Sequence, residues 1–272
     1  MAHKYDAVAQ VVLDAMETET KWRKTWEGVS RLNCNGETKR AYQSTNQLST
    51  MISAHVHGFT SQLWLTFAQC KKLGGNLKGQ TGTPVIWFST REDKKTGEIY
   101  PCAKRYTLFN VEQTGIDIPE PEVRETLLTN PHEIPNALGV QVKEGNPAYN
   151  YLHDHITMPA PGMFESDDAY NSTLYHEAIH STGAKSRCDR DLVNAFGSEL
   201  YAKEELVAEL GSIFLCSQLG VPYEVEQHAS YLKSWTKAIK DDTNYLVTAV
   251  KNAQAAADYV MARLNETNQG AN

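Results

Sequence analysis

At 272 residues the chain exceeds the ~100 to 200 residues of one typical domain, which favours two domains, each long enough to bury its own core. With 41% hydrophobic and 22% charged residues the composition is that of a globular protein, and no window approaches the ~18 consecutive apolar residues of a membrane span, which excludes a membrane protein. The net charge of -7 conceals an asymmetry: Met1 to Gly115 holds 15 Lys+Arg against 10 Asp+Glu, and the remainder 11 against 23. A basic half joined to an acidic half implies that the first meets a polyanion and the second has another task.

Taken in chain order, the N-terminal MAHKYDAVAQVVLDAM lacks the basic and apolar regions of a leader and reads as an amphipathic helix reaching about Trp22, which points to a cytoplasmic protein. A polar stretch with an Asn-Gly pair follows. Helical periodicity resumes near Asn46, and WLTFAQCKKLGG from Trp64 reads as a short helix stopped at Gly74 and Gly75. Strands are expected at Pro84 to Ser89 and around Lys104 to Val111, making this part α+β. Proline-rich, acidic TGIDIPEPEVRE marks the junction, giving a first domain 1–118, a linker 119–126 and a second domain 127–272.

The second domain opens with a helix near His132 to Leu138, and GVQVKE, AYNYL and DHITMP then alternate as three short strands of a small sheet. Four long periodic segments follow, 166–182, 198–219, 225–240 and 243–264, the first two opening at Ser166 and Ser198. The tail NETNQGAN reads as disordered. Five cysteines, odd in number and without a C-x-x-C pair, indicate neither a disulfide framework nor a thiolate metal site.

The chemistry concentrates in Tyr175-His176-Glu177-Ala178-Ile179-His180. Histidines four apart on a helix present both imidazoles on one face, within reach of one ion, and the H-E-x-x-H pattern places Glu177 as the general base of a zinc peptidase. A third protein ligand is needed beside an open position for water. The next long helix supplies it: Glu205 is assigned to the metal and Glu209, one turn on, to orienting a histidine, while Glu204 reads as a solvated helix face. The cofactor expected is one zinc ion, with manganese or another divalent metal also compatible. An extended substrate is expected to add along the edge of DHITMP, with His228 and Tyr231 as candidate oxyanion donors.

In the first domain aromatic and basic residues interleave, as in Trp22-Arg23-Lys24-Thr25-Trp26, Arg40 with Tyr42, Trp64 ahead of Lys71, Lys72 and Lys78, and Lys104-Arg105-Tyr106. Rings that stack bases beside cations that follow phosphates are the equipment of single-stranded DNA binding.

With these residues laid out, the chain resembles the ArdC-type antirestriction proteins of conjugative plasmids and phages over nearly its whole length. KRAYQSTNQL, WLTFAQCKKLGGNLKGQTGTPVIWF and YTLFNVEQTG look like that family's single-stranded-DNA-binding domain. DHITMP, TLYHEAIHSTG, the run Arg187, Asp189, Arg190, YAKEELVAELGSIFLC and HASYLKSWTKAIKDD look like its zincin-like metallopeptidase domain. The resemblance implies protection of incoming unmodified DNA from host restriction, with a restriction subunit as one candidate DNA-bound protein substrate. By motif it implies that His176 and His180 bind metal, that Glu177 is the catalytic carboxylate, and that Glu205 occupies the E-x-x-A position of the later helix. Two alternatives stay open at this point: a strand-coating protein whose metal is structural, and a single-strand-dependent protease acting on DNA-protein crosslinks.

Overall fold

The computed structural model describes residues 5–26, 31–121, 128, 130–192, 198–224 and 229–270. The chain is α+β and divides into two compact units, 1–15 with 32–122, and 16–31 with 123–272. The expected linker 119–126 falls largely outside the described residues, and so do 225–228 at the start of the third long helix expected in the second domain. Among the described residues no helix is long and apolar enough to cross a membrane.

The expected N-terminal helix is two. α1, Asp6–Ala15, belongs to the first unit, whereas α2, Glu19–Trp26, lies within the second. Apolar burial decides the matter for α2: Trp22 and Trp26 are 2% and 0% exposed, meet edge to face at 5.0 Å, and Trp22 packs against Trp235 at 6.4 Å. The two tryptophans read as base-stacking candidates are therefore core residues of the other unit.

In the first unit a sheet of order β1-β2-β4-β3 is formed by β1 (Cys34–Asn35), β2 (Leu63–Thr66), β3 (Thr83–Glu92) and β4 (Ile99–Asn110). β2 replaces the first turn of the helix expected from Trp64. Leu63, Trp64 and Leu65 are all fully buried between parallel β1 and antiparallel β4, and a continuous apolar run of this length satisfies a strand covered on both faces as well as it does a helix. The helix that follows, α4 (Phe67–Lys72), starts at a reciprocal cap in which the Thr66 hydroxyl accepts from the Gln69 amide at 3.2 Å and the Gln69 side chain accepts from the Thr66 amide at 2.9 Å.

β3 is an edge strand, and α3, Ser44–His57, closes that edge with polar side chains instead of a further strand. Asn46 donates to the Ile86 carbonyl and accepts from the Ile86 amide, both at 2.7 Å; Ser49 donates to the Pro84 carbonyl at 2.7 Å, and Ser53 bonds Thr83. Positions 46, 49 and 53 share one helix face, so α3 satisfies backbone groups that an open edge leaves to solvent or to another chain.

In the second unit, α5 (Glu133–Leu138) leads into a sheet of order β5-β7-β6, with β5 at Gln141–Glu144, β6 at Ala148–Asn150 and β7 at His155–Met158. The long helices are α6 (Asp167–Ser181), α7 (Glu199–Leu219), α8 (Ala229–Asp241) and α9 (Thr243–Gly270). Ser166 and Ser198 cap α6 and α7 by accepting from the Ala169 and Tyr201 amides, as expected. α7 is buried nearly all round from Glu205 onward and forms the centre of the unit, with Leu206, Leu210, Ile213, Phe214 and Leu215 unexposed. α9 corrects the expectation of a disordered tail: it runs through NETNQ to Gly270.

Replacing Asn46 by Ala strands the Ile86 amide and carbonyl together, and stability is expected to fall by about 1 to 3 kcal/mol. Equilibrium denaturation measures this, and an unchanged midpoint would show that the β3 edge does not depend on α3.

Candidate metal centre

α6 and α7 lie against each other at a point where one has no side chain. A Cβ on Gly211 of α7 would stand 2.7 Å from Cγ2 of Ile179, so only glycine admits α6 this closely. Ile179 precedes His180, and the approach brings the ligating face of α6 to the buried carboxylates of α7.

There His176 Nε2 and His180 Nε2 are 3.1 Å apart, with ring centroids 4.8 Å apart and planes at 76°. Glu205 reaches both, Oε2 to His176 Nε2 at 3.5 Å and Oε1 to His180 Nε2 at 3.6 Å. One donor atom from each residue falls within 4.8 Å of the others, a group able to hold an ion. His176 and Glu205 are 3% and 6% exposed.

The charge around these groups supports the fit. Burial works against an imidazolium at His176, yet the hydrogen bond to Glu205 and the charges of Glu177, Glu205 and Glu209 raise it to about 9. Burial likewise opposes ionisation of Glu205, and His176 and His180 together with a Tyr201 hydrogen bond carry it down to about 2. Glu177, Glu204, Glu205 and Glu209 are set around two imidazoles, and Arg190 pairs with Glu204 alone among them. Carboxylates so placed are costly unless a cation offsets them, and two imidazole nitrogens with one carboxylate make a donor set suited to a borderline divalent metal.

Glu204 departs from the sequence reading. Its side chain is 11% exposed, and it accepts from Arg190 through both oxygens, Nη2 at 2.7 Å and Nε at 3.0 Å. Glu204 Oε1 also lies 3.2 Å from His180 Nδ1, and since a carboxylate only accepts, His180 donates there and leaves the Nε2 lone pair for an ion. Arg190 is fixed in turn by the Ile179 carbonyl and Thr182. Glu209 is unexposed and accepts from Trp22 Nε1 at 3.3 Å and the Tyr223 hydroxyl at 3.2 Å; the carboxylate oriented on His180 is Glu204. The sequence signal for this pairing is Arg190, a cation fourteen residues before Glu204.

Glu177, 8% exposed, lies with the three donors on the wall of a cavity of about 490 Å³. Tyr201 and Tyr231 line it from the helices, Ala148 and Tyr149 from β6, and Tyr151 from the turn after β6. His228 lies outside the described residues. The strand beside the cavity is also a correction: DHITMP forms β7, the central strand, and the available edge is β6. Arg187 secures the loop after β6 by pairing with Asp154 at 2.8 and 2.9 Å while donating to the Ser181 carbonyl, and the Tyr149 hydroxyl donates to Asp154 at 2.7 Å.

The nucleic-acid candidates of the first unit separate. Trp64 is unexposed, packed edge-on to Phe59, and is no stacking platform; Tyr42 is part-buried, its hydroxyl donating to the Trp64 carbonyl. Arg40, Lys71, Lys72, Lys78, Lys104 and Arg105 are exposed, with Lys72 paired to Glu37 at 2.8 Å.

Two family models match in tandem. Residues 2–109 match the N-terminal domain of anti-restriction factor ArdC, and 132–252 a zincin-like metallopeptidase. The crystal structure of the antirestriction ArdC protein from plasmid R388 in its Mn(II)-bound form is 34% identical, with a TM-score of 0.81 over 97% of this chain and 98% of that one. The metal-free form of the same protein gives 0.79. The uncharacterized protein y4eC of Sinorhizobium fredii is 30% identical across 96% of this chain and 92% of its own length. DNA primase TraC of Escherichia coli is 34% identical across 95% of this chain, which spans only 20% of TraC.

Replacing Glu204 by Gln keeps its shape and removes its charge. Zinc affinity, read by chelator competition, is expected to fall about 10- to 100-fold, while the same change at exposed Glu199 on α7 leaves it unaltered. Equal affinities for both variants would remove Glu204 from the site.

Proposed function

The chain belongs to the ArdC-type antirestriction family, and on that premise we propose that it binds single-stranded DNA through its first unit and hydrolyses a DNA-bound protein in its second, protecting incoming unmodified DNA from host restriction. The observation that carries the enzymatic part is the placing of His176, His180, Glu205 and Glu177 together on the wall of an open cavity. A structural zinc is closed by four protein ligands, whereas three ligands beside open space leave a position for water.

In this reading His176, His180 and Glu205 hold one zinc or manganese ion, which when bound supplies Lewis acidity and a water acidified toward neutral pH. Glu204 holds His180 in the tautomer that ligates through Nε2. Glu209 supports the same site from the core through its charge on His176. Glu177 accepts a proton from the attacking water and returns it to the leaving amide nitrogen as the peptide bond breaks. An extended substrate adds to the free edge of β6 by main-chain hydrogen bonds, with Tyr149 and Tyr151 flanking it and Tyr201 and Tyr231 opposite. The substrate class favoured is a protein already on the entering strand, such as a restriction subunit. Such a target gives the DNA-binding unit a purpose, because a shared strand raises the local concentration of substrate at the cavity.

The test is restriction of incoming unmodified DNA in cells expressing wild type or Glu177→Gln, with the purified proteins assayed for metal content and oligonucleotide affinity. Loss of a general base is expected to slow hydrolysis about 10²- to 10⁴-fold and to abolish protection while metal and DNA binding persist. Full protection by the variant would leave strand coating as the function.

A further inference from the structure

The first unit carries aromatic surface that its own core does not use. β3 and β4 pair from Thr83 opposite Leu108 to Glu92 opposite Ile99, and alternate residues share a face. Near the base of this ribbon one face is buried, Val85 and Leu108 joining Trp64 with Tyr42, Ala54 and Phe59 packed against them. Farther out the same face is open: it presents Tyr106, Trp87, Lys104, Ser89, Cys102, Arg91 and Tyr100. Trp87 is 54% exposed, Tyr100 46% and Tyr106 42%, and the Trp87 and Tyr106 rings meet edge to face at 6.2 Å.

The ionic side chains on this face are both cations, Lys104 directly opposite Trp87 and Arg91 directly opposite Tyr100. The ribbon's carboxylates lie elsewhere: Glu92 on the opposite face, Asp93 and Glu98 at the turn. From Tyr106 to Tyr100 the face runs six residues, about 20 Å of strand. Flat rings alternating with cations along an extended line suit a polyanion that offers flat faces of its own. An acidic protein surface would use the cations and waste the rings; a duplex hides its base faces in its own stack.

We infer that this outer face of the β3–β4 ribbon is a platform on which unpaired bases stack against Trp87, Tyr106 and Tyr100 while Lys104 and Arg91 contact the flanking phosphates. The inference rests on the single-strand binding proposed above and gives it a location distinct from Trp64 and the Lys71, Lys72 and Lys78 group. Lys104 and Tyr106 are the residues it shares with the reading of the sequence, and Arg105, between them in the chain, belongs to the opposite face.

The experiment uses the full chain and a labelled oligothymidylate of about 16 nucleotides, followed by anisotropy beside a duplex of equal length. Trp87→Ala and Tyr106→Ala are expected to bind the single strand roughly 5- to 150-fold more weakly, the range of one lost base stack, with unchanged melting and unchanged duplex affinity; Trp87→Phe recovers part of the loss. Lys104→Ala is expected to reduce the salt slope by about one. In a Cys188→Ser background, with Cys34, Cys70 and Cys216 buried, the oligonucleotide is expected to shield Cys102 on the same face from a maleimide. If wild type binds the strand and the aromatic variants bind it equally well, or if duplex binding falls as much as single-strand binding, the platform is wrong and the proposed function stands. If wild type binds no single strand, both fall.

Discussion

Charge buried between α6 and α7 is the constraint from which the second unit follows. Glu205 and Glu209 on α7 and Glu177 on α6 are each 8% exposed or less, in the company of an apolar core. Isolated carboxylates in such surroundings would protonate or unfold the helices around them. The fold answers with imidazoles from α6 for Glu205, the indole of Trp22 on α2 and the phenol of Tyr223 beyond α7 for Glu209, and the guanidinium of Arg190 for the neighbouring Glu204. Glycine at 211 is needed so that the imidazoles arrive close enough. Apolar packing sets the helices in place, and the electrostatic demand determines which residues can occupy the seam between them.

The same seam explains why two arginines follow α6 so closely. Arg187 and Arg190 each take a carbonyl of its last turn, Ser181 and Ile179, where the helix dipole favours positive charge. Each then reaches a carboxylate, Arg187 toward the sheet and Arg190 toward α7. One helix end thus fixes both the floor and the rim of the cavity.

Much of this was legible from the residues alone. The two helices that bear the site announce themselves with serine caps and long apolar spacing, and the four-residue interval of His176 and His180 dictates a shared face. The three strands near Gln141 to Met158 are separated by turn residues and read correctly; their lateral order does not, because pairing is non-local, so the strand flanking the cavity was misidentified. β2 failed for a local reason, since WLTF satisfies helix and strand alike and only neighbours on both faces decide it. Glu204 was read as solvated because spacing along one helix says nothing of an arginine delivered by another segment. The aromatic residues of the basic half show the weakest legibility: composition counts Trp22, Trp26, Trp64 and Trp87 alike, yet the first three are core and only the last is on the surface.

The return of residues 16–31 to the second unit has a consequence for dissection. The polypeptide leaves the first unit after α1, contributes α2 elsewhere, and comes back at Leu32. A single cut near the junction of the halves therefore separates Trp22 and Trp26 from Trp235 and withdraws one of the donors to Glu209, giving one fragment a surplus of exposed indole and the other an interior carboxylate with one hydrogen bond fewer. Clean modules require a discontinuous design, with 16–31 excised from one piece and supplied to the other, and recombination that exchanges either half intact must carry this short insert with its adopted partner.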